Sequence, residues 1–313
     1  MSRPFGAGFR LVLSVCVLVI VGVGAVMLSE AMAPQPITSM VSEAVQVTQD
    51  IEFGQVDGVK LRLDVYGPRV STRSLRPSIL LIHGGGWVEG DKSGQRDLAA
   101  HLVPKGFVAF AINYRLADSD KTRHPAAVLD VRRAARWVRT HARDYGADPT
   151  RLGAVGLSAG GHLAALLGTT DPLDPLDPNS PKAPGRVDCV VDTAGPTDFT
   201  DDASPAVGPA IAYVIPAFFG KGRDAIPQAF REASPSLHVD SKSAPTLIVH
   251  GTLDDIVPLD QSRKFHQALA KAGVETKLVE LEGEGHGFIQ PENQRRWLDE
   301  MGRFLTFHLK PSS

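Results

Sequence analysis

Short apolar runs alternate with longer amphipathic stretches through most of this chain, and the period of the pattern changes along it. Near the start, Val59, Leu61, Leu63 and Val65 alternate with Lys60, Arg62 and Asp64. With the apolar-rich stretch 45–53 before them and Asp57-Gly58 as a turn, this predicts an antiparallel hairpin. Beyond it the period of two is lost. Residues 78–82, 107–112, 152–155, 187–191, 246–249 and 276–281 are short, mainly apolar runs that suit strands covered on both faces. Helical spacing separates most of them. Residues 126–142 put Val128, Val131, Ala135 and Val138 on one face, with Arg132, Arg133, Arg136, Arg139 and Arg143 largely off it, as on a solvated helix face. Residues 262–272 and 291–309 read as two more helices. Residues 159–167 are apolar nearly all round, so that helix is buried, and Gly168 is a natural stop. Strand and helix in alternation predict a mostly parallel sheet with helices on both faces, opened by the antiparallel hairpin. No internal repeat is visible.

One region breaks the alternation. Residues 198–244 hold no clear sheet strand but many prolines and an apolar patch from Ile211 to Phe219. A connection that long in a compact domain is functional or contains elements of its own. It reads as a small cap over a site, with Tyr213, Phe218 and Phe219 as candidate acyl-pocket walls. A helix that merely completes the core is the competing reading.

The 313 residues allow one large α/β domain or two small ones. A net charge of −2 argues against a nucleic-acid partner or a strongly anionic ligand. Arg3 and Arg10 precede an uncharged apolar run of 18 residues, 11–28, followed by Ala31-Met32-Ala33. That order is an export signal, or a membrane anchor retained at the lower length limit for a span. Residues 1–40, with the Pro-Gln-Pro linker, therefore stand apart from a domain of residues 41–313. The expected location is outside the cytoplasm, with the chain attached to a membrane through residues 11–28 where that run is retained. Cys16 lies in the apolar run and Val15 makes it a poor lipidation site. Cys189, in Val-Asp-Cys-Val-Val-Asp, reads as a buried small hydrophobe.

Candidate chemistry is concentrated in four motifs. Gly156-Leu157-Ser158-Ala159-Gly160 lies between a strand-length run and the buried helix. A serine on so sharp a turn occupies strained backbone, and the flanking glycines let neighbouring elements approach closely enough to permit it. His83-Gly84-Gly85-Gly86-Trp87 follows the 78–82 strand. Three glycines leave backbone N–H groups clear of side chains, as donors to a tetrahedral oxyanion must be. Gly85, Gly86 and Ala159 are the natural donor set, and Trp87 is a candidate substrate contact. A serine hydroxyl near neutral pH needs a base, and the base an orienting acid. His250-Gly251-Thr252-Leu253-Asp254-Asp255 and Glu284-Gly285-His286-Gly287-Phe288 supply both at strand ends. His83 reads as a brace for the glycine loop and His162 as a satisfied core residue. The run Asp171, Asp174, Asp177, each followed at once by proline, matches no EF-hand and reads as a solvated loop. No cysteine/histidine spacing suggests zinc, so no metal and no cofactor are implied.

Together, H-G-G-G-W-V-E-G-D-K, G-L-S-A-G-G-H-L-A, H-G-T-L-D-D-I-V-P and G-E-G-H-G-F resemble the α/β-hydrolase superfamily. The likeness is to its esterase/lipase branch, with hormone-sensitive-lipase-like and feruloyl-esterase-like members, and it runs from about Val45 to about Leu309. The resemblance implies an α/β-hydrolase fold with a small cap, Ser158 as nucleophile, His286 as base and Asp254 as its partner. Asp255 and a carboxylate at a neighbouring strand end remain the alternatives for the acid. It implies a serine esterase acting on a small-molecule or polysaccharide ester, with short acyl chains, or acetylated or feruloylated sugars, as targets. An arylformamidase or peptidase on the same core is the first rival. A hydrolase-like fold that only binds is the second.

Overall fold

The computed structural model describes residues 45–70, 74–170, 186–202 and 205–310. The N-terminal segment with its apolar run and the aspartate–proline run 171–179 lie outside the described residues. In chain order the strands and helices are β1 (Val45–Val56), β2 (Val59–Pro68), β3 (Arg76–Ile82), α1 (Arg96–Leu102), β4 (Val108–Ile112), α2 (Ala126–His141), β5 (Ala147–Leu157), α3 (Ala159–Thr169) and β6 (Cys189–Thr193). After these come α4 (Val214–Phe219), α5 (Pro227–Glu232), β7 (Thr246–Gly251), α6 (Leu259–Lys271), β8 (Thr276–Leu281) and α7 (Pro291–Leu309).

The eight strands form one sheet in the order β1-β2-β4-β3-β5-β6-β7-β8. β1 and β2 are the expected antiparallel hairpin, β2 is antiparallel to β4, and every later pairing is parallel. Burial explains the change of sequence period. Leu80 and Ile82 face one apolar core with Val131, Val138 and Leu163, while Ile79 and Leu81 face the other with Leu102, Met301 and Leu305. A strand with a core on each side has no polar face, so alternation disappears. Helices α2 and α3 thus cover one face and α1 and α7 the other. Helix α6 packs through Phe265 and Leu269 on Ile248 and Ala165, on the α3 side.

One expectation needs correction. The arginines of α2 are not a freely solvated face: Arg132, Arg133, Arg136 and Arg139 are half-buried. Arg132 donates to Thr170 Oγ1 at 2.8 Å, and Arg139 to the carbonyls of Pro149 and Arg186 at 2.9 and 3.0 Å. Their long stems cover apolar surface while the heads tie down neighbouring loops. The region 198–244 adds no strand but folds into short helices, α4 and α5 among them. Among the described residues no helix is long and apolar enough to cross a membrane.

Candidate active site

Ser158 ends β5 and caps α3 with φ 57° and ψ −123°, a conformation that costs a non-glycine residue about 1–3 kcal/mol. Its surroundings enforce that turn. A Cβ on Gly156 would overlap the Gly160 carbonyl, and one on Gly160 would overlap the Ile82 carbonyl. The glycines of G-x-S-x-G are therefore steric requirements, because β3, β5 and α3 meet at backbone distance. The Ser158 amide donates to the Thr193 carbonyl at 2.8 Å, which fixes the turn to the end of β6.

Asp254 and His286 come from the loops after β7 and β8. His286 Nδ1 donates to Asp254 Oδ2 at 2.8 Å, leaving Nε2 with its lone pair. Asp254 Oδ1 accepts the Ile256 and Val257 amides, both at 2.9 Å. The buried His250 completes the acid's environment. Its Nε2 donates to the Val257 carbonyl at 2.8 Å and lies 3.1 Å from Asp254 Oδ2, while Ser262 Oγ meets its Nδ1 at 2.7 Å. Burial alone would raise the Asp254 carboxyl. Hydrogen bonds from His250, His286 and the Val257 amide outweigh burial and hold it well below the usual carboxylate range. Asp255 is exposed, so of the adjacent pair only Asp254 meets the imidazole. Among the described residues no hydrogen bond joins Ser158 to His286; such contacts are often long before substrate binds.

Glu284 is a member of this site that the sequence did not single out. Its side chain is fully buried and accepts from the Ile289 amide at 3.0 Å, the Gln290 amide at 2.9 Å and Asn293 Nδ2 at 3.2 Å. It closes the loop that carries His286 and joins it to the start of α7. His250 was likewise read only as part of a motif. A glutamate between glycines looks solvated in sequence, and nothing local reveals the three donors folded round it.

The glycine loop meets the serine turn directly: a Cβ on Gly84 would lie 2.9 Å from the Leu157 carbonyl and 3.4 Å from Ser158 Cβ. Gly85, Gly86 and Trp87 have φ of 108°, 57° and 64°. Among the described residues the amides of Gly85, Gly86 and Ala159 donate to no protein acceptor. His83 braces the loop from within. Its Nδ1 donates to the Gly84 carbonyl at 2.8 Å, its ring stacks on Tyr114 at 4.2 Å, and Tyr114 Oη donates to the His83 carbonyl. Burial pushes its imidazole pKa down.

The expected pocket walls are placed differently. Trp87, Phe218 and Phe219 are 1%, 0% and 5% exposed, and a side chain that solvent cannot reach does not line an open pocket. Trp87 stacks on Phe218 at 4.4 Å and donates from Nε1 to His162 Nδ1 at 3.1 Å; Phe219 stacks on Phe230 at 3.8 Å. His162 Nε2 donates to the Ala233 carbonyl, which makes it the satisfied core histidine the sequence suggested. These rings bury the 198–244 region into the core, and Val214 seats it on the glycine loop, 3.0 Å from where a Gly86 Cβ would be. Only Tyr213, 61% exposed, is open to a ligand.

Asp192, near the end of β6, is fully buried under the serine turn. Oδ1 accepts the Gly195 amide at 2.9 Å, and Oδ2 has no partner among the described residues. Burial pushes its carboxyl up to about 7 from 3.8, with the Gly195 amide and His250 only partly opposing. The folded chain therefore holds this proton more tightly than the unfolded one. Stability falls as pH rises from about 4 to about 7, by on the order of 4 kcal/mol from this group. Asp192→Asn, which keeps the acceptor for Gly195, is expected to flatten that fall. Urea midpoints at pH 5 and pH 7.5 check this; an unchanged difference between wild type and variant would refute it.

A strained serine at a strand–helix turn, free amides beside it and a carboxylate-bound imidazole on later strand ends define an α/β-hydrolase of the esterase branch. The profile of the BD-FAE family matches residues 63–269, and the chain belongs to that family. Esterase LipC of Mycobacterium tuberculosis is 32% identical over 230 residues, 72% of this chain and 56% of LipC. The chain spans about half the length of the curated relatives it matches. Est2, an esterase of Thermogutta terrifontis solved with propionate bound, aligns with TM-score 0.70 at 27% identity over 87% of this chain and 97% of Est2. Est2 has also been solved phosphorylated by paraoxon. An acetyl ester-xyloside bifunctional hydrolase of Caldicellulosiruptor lactoaceticus aligns with TM-score 0.69 at 25% identity, covering 83% of this chain and 96% of that one.

Proposed function

We propose that this protein hydrolyses carboxylic esters of short acyl groups through Ser158, His286 and Asp254. The observation that carries the reading is the Asp254–His286 pair at 2.8 Å, at the same strand-end edge as the strained Ser158. His286 Nε2 takes the proton of Ser158 Oγ as that oxygen bonds to the ester carbonyl carbon. The oxyanion is held by the amides of Gly85, Gly86 and Ala159, each worth about 3 kcal/mol in the transition state. His286 then passes its proton to the departing alcohol oxygen as the C–O bond breaks. Water, deprotonated by the same nitrogen, attacks the acyl-serine and releases the acid.

A short acyl group is supported by Val214, which lies 3.0 Å from where a Gly86 Cβ would be and so crowds the glycine loop. It is supported further by the propionate in Est2. Acetylated or feruloylated sugars are the second reading, favoured by the acetyl ester-xyloside hydrolase among the similar structures. The charged start and apolar run of the N-terminus support export. The test is a series of p-nitrophenyl esters from acetate to decanoate. kcat/KM is expected to peak between acetate and butyrate and to fall at least about tenfold by octanoate. Undiminished rates on decanoate would overturn the short-acyl assignment.

A further inference from the structure

The motif H-G-G-G-W-V-E-G-D-K ends in an aspartate and a lysine that the catalytic steps leave unused. Lys92 is 7% exposed, and Asp64, on β2, is 0% exposed. Lys92 Nζ donates to Asp64 Oδ1 at 2.7 Å and lies 3.0 Å from Asp50 Oδ1. Asp64 Oδ1 also accepts the Asp50 amide at 2.9 Å, while Oδ2 has no hydrogen-bond partner among the described residues. A buried carboxylate so sparsely bonded depends on the cation beside it. Burial alone would lower the Lys92 ammonium pKa; the bonds to Asp64 and Asp50 outweigh it and push the value up. The backbone at this point is held as firmly. The Lys92 amide donates to Asn113 Oδ1 at 2.6 Å, and Asn113 Nδ2 and the Ser93 amide both donate to Asp91, at 2.8 Å each. Residues 91–93 are thereby pinned to β2 and to the end of β4.

Few atoms separate this clamp from the oxyanion donors. A Cβ on Gly90 would lie 2.4 Å from His83 Nδ1 and 2.5 Å from the Gly84 carbonyl oxygen, so Gly90 rests directly on that pair. In a trans peptide the carbonyl and the following N–H point opposite ways. The Gly84 carbonyl accepts from His83 Nδ1 at 2.8 Å, which turns the Gly85 N–H the other way. The Gly85 carbonyl accepts the Val88 and Glu89 amides, both at 3.0 Å, which turns the Gly86 N–H out of that turn. The direction of both donors thus depends on residues 88–90 staying in place, and residues 91–93 anchor them.

We propose that Lys92, paired with Asp64, is a positioning residue for the oxyanion hole, fixing the direction of the Gly85 and Gly86 amides through Gly90. The assignment rests on the ester-hydrolase reading above. An oxyanion donor works only if its direction is set before charge develops, and a misplacement of about 1 Å can cost about a hundredfold in rate. Loss of the clamp therefore lowers kcat and leaves KM nearly unchanged, because these donors act on the transition state more than on the bound ester.

The test removes the charges and keeps the packing: Asp64→Asn with Lys92→Met. Asparagine keeps an acceptor for the Asp50 amide, and no buried charge is left unpaired, so the thermal midpoint is expected within a few degrees of wild type. On p-nitrophenyl acetate kcat is expected to fall about tenfold or more, with KM changed less than about threefold. A trifluoromethyl ketone, whose adduct with Ser158 places an oxyanion in the hole, is expected to bind more weakly by about the same factor as kcat/KM. The acid limb of the pH profile, set by the base, is expected to stay in place. Lys60→Met, which breaks the exposed pair with Glu52 on the same hairpin, is expected to change none of these. Should the double variant not fold, Asn113→Ala, which frees the Lys92 amide and Asp91, decides instead, with the same pattern expected. Wild-type kcat in the folded variant, or a displaced acid limb, would overturn the assignment. Failure of the underlying reading is a separate outcome, in which wild type itself cleaves no ester and Ser158 takes no fluorophosphonate.

Discussion

Ser158→Ala is expected to lower kcat on p-nitrophenyl acetate by about 10^6-fold, or to the detection limit, while leaving the fold intact. The magnitude follows from chemistry that has no substitute: without Oγ there is no acyl-enzyme, and the remaining donors act only on water's own attack. Alanine also relieves nothing in the backbone, because the steric demands of Gly156 and Gly160 still impose the positive φ. Thermal midpoints of variant and wild type are therefore expected to agree within a few degrees. A residual rate within about a hundredfold of wild type would remove Ser158 from the mechanism.

Asp254→Asn is expected to cost about 10^4-fold in kcat with a much smaller change in KM. Asparagine can keep its Oδ1 on the Ile256 and Val257 amides, since those donors do not distinguish amide from acid. Its Nδ2 then faces His286 Nδ1, which must give up its proton to accept. The imidazole is driven to the tautomer with hydrogen on Nε2, where a lone pair is needed. Asp255→Asn, on an exposed side chain that does not face His286, is expected to change kcat by less than about threefold. Equal losses in the two variants would show that the acid had been misassigned.

Much of this was legible in the chain. All six runs read as covered strands are strands of the parallel part of the sheet, because a strand between two cores must be apolar on both sides; the last of them, β8, is the edge strand and is only half covered. The antiparallel hairpin was given by the alternation from Val59 to Val65, whose outer side stays polar. The serine turn was legible because its steric demands fall on glycines, and only glycine satisfies them. The likeness of H-G-T-L-D-D-I-V-P pointed to Asp254 with Asp255 as the alternative; neighbouring side chains point apart, and the fold turns Asp254 onto His286.

The pocket walls were misread for a related reason. Tyr213, Phe218 and Phe219 look equivalent in sequence, yet α4 turns the two phenylalanines into the aromatic cluster on Trp87 and leaves the tyrosine outside. Glu284 went unassigned because burial of a charge depends on donors brought from Ile289, Gln290 and Asn293, which no local pattern announces. The arginines of α2 were misjudged in the same way. Their charge said solvent, and their partners lay elsewhere in the chain.

Reaction of the full chain with a fluorophosphonate, read by intact mass and peptide mapping, tests the central claim most directly. One equivalent is expected on the peptide holding Ser158, no adduct on Ser158→Ala, and a much slower adduct on Asp254→Asn. Wild type left unmodified, or modified on another residue, would contradict the account.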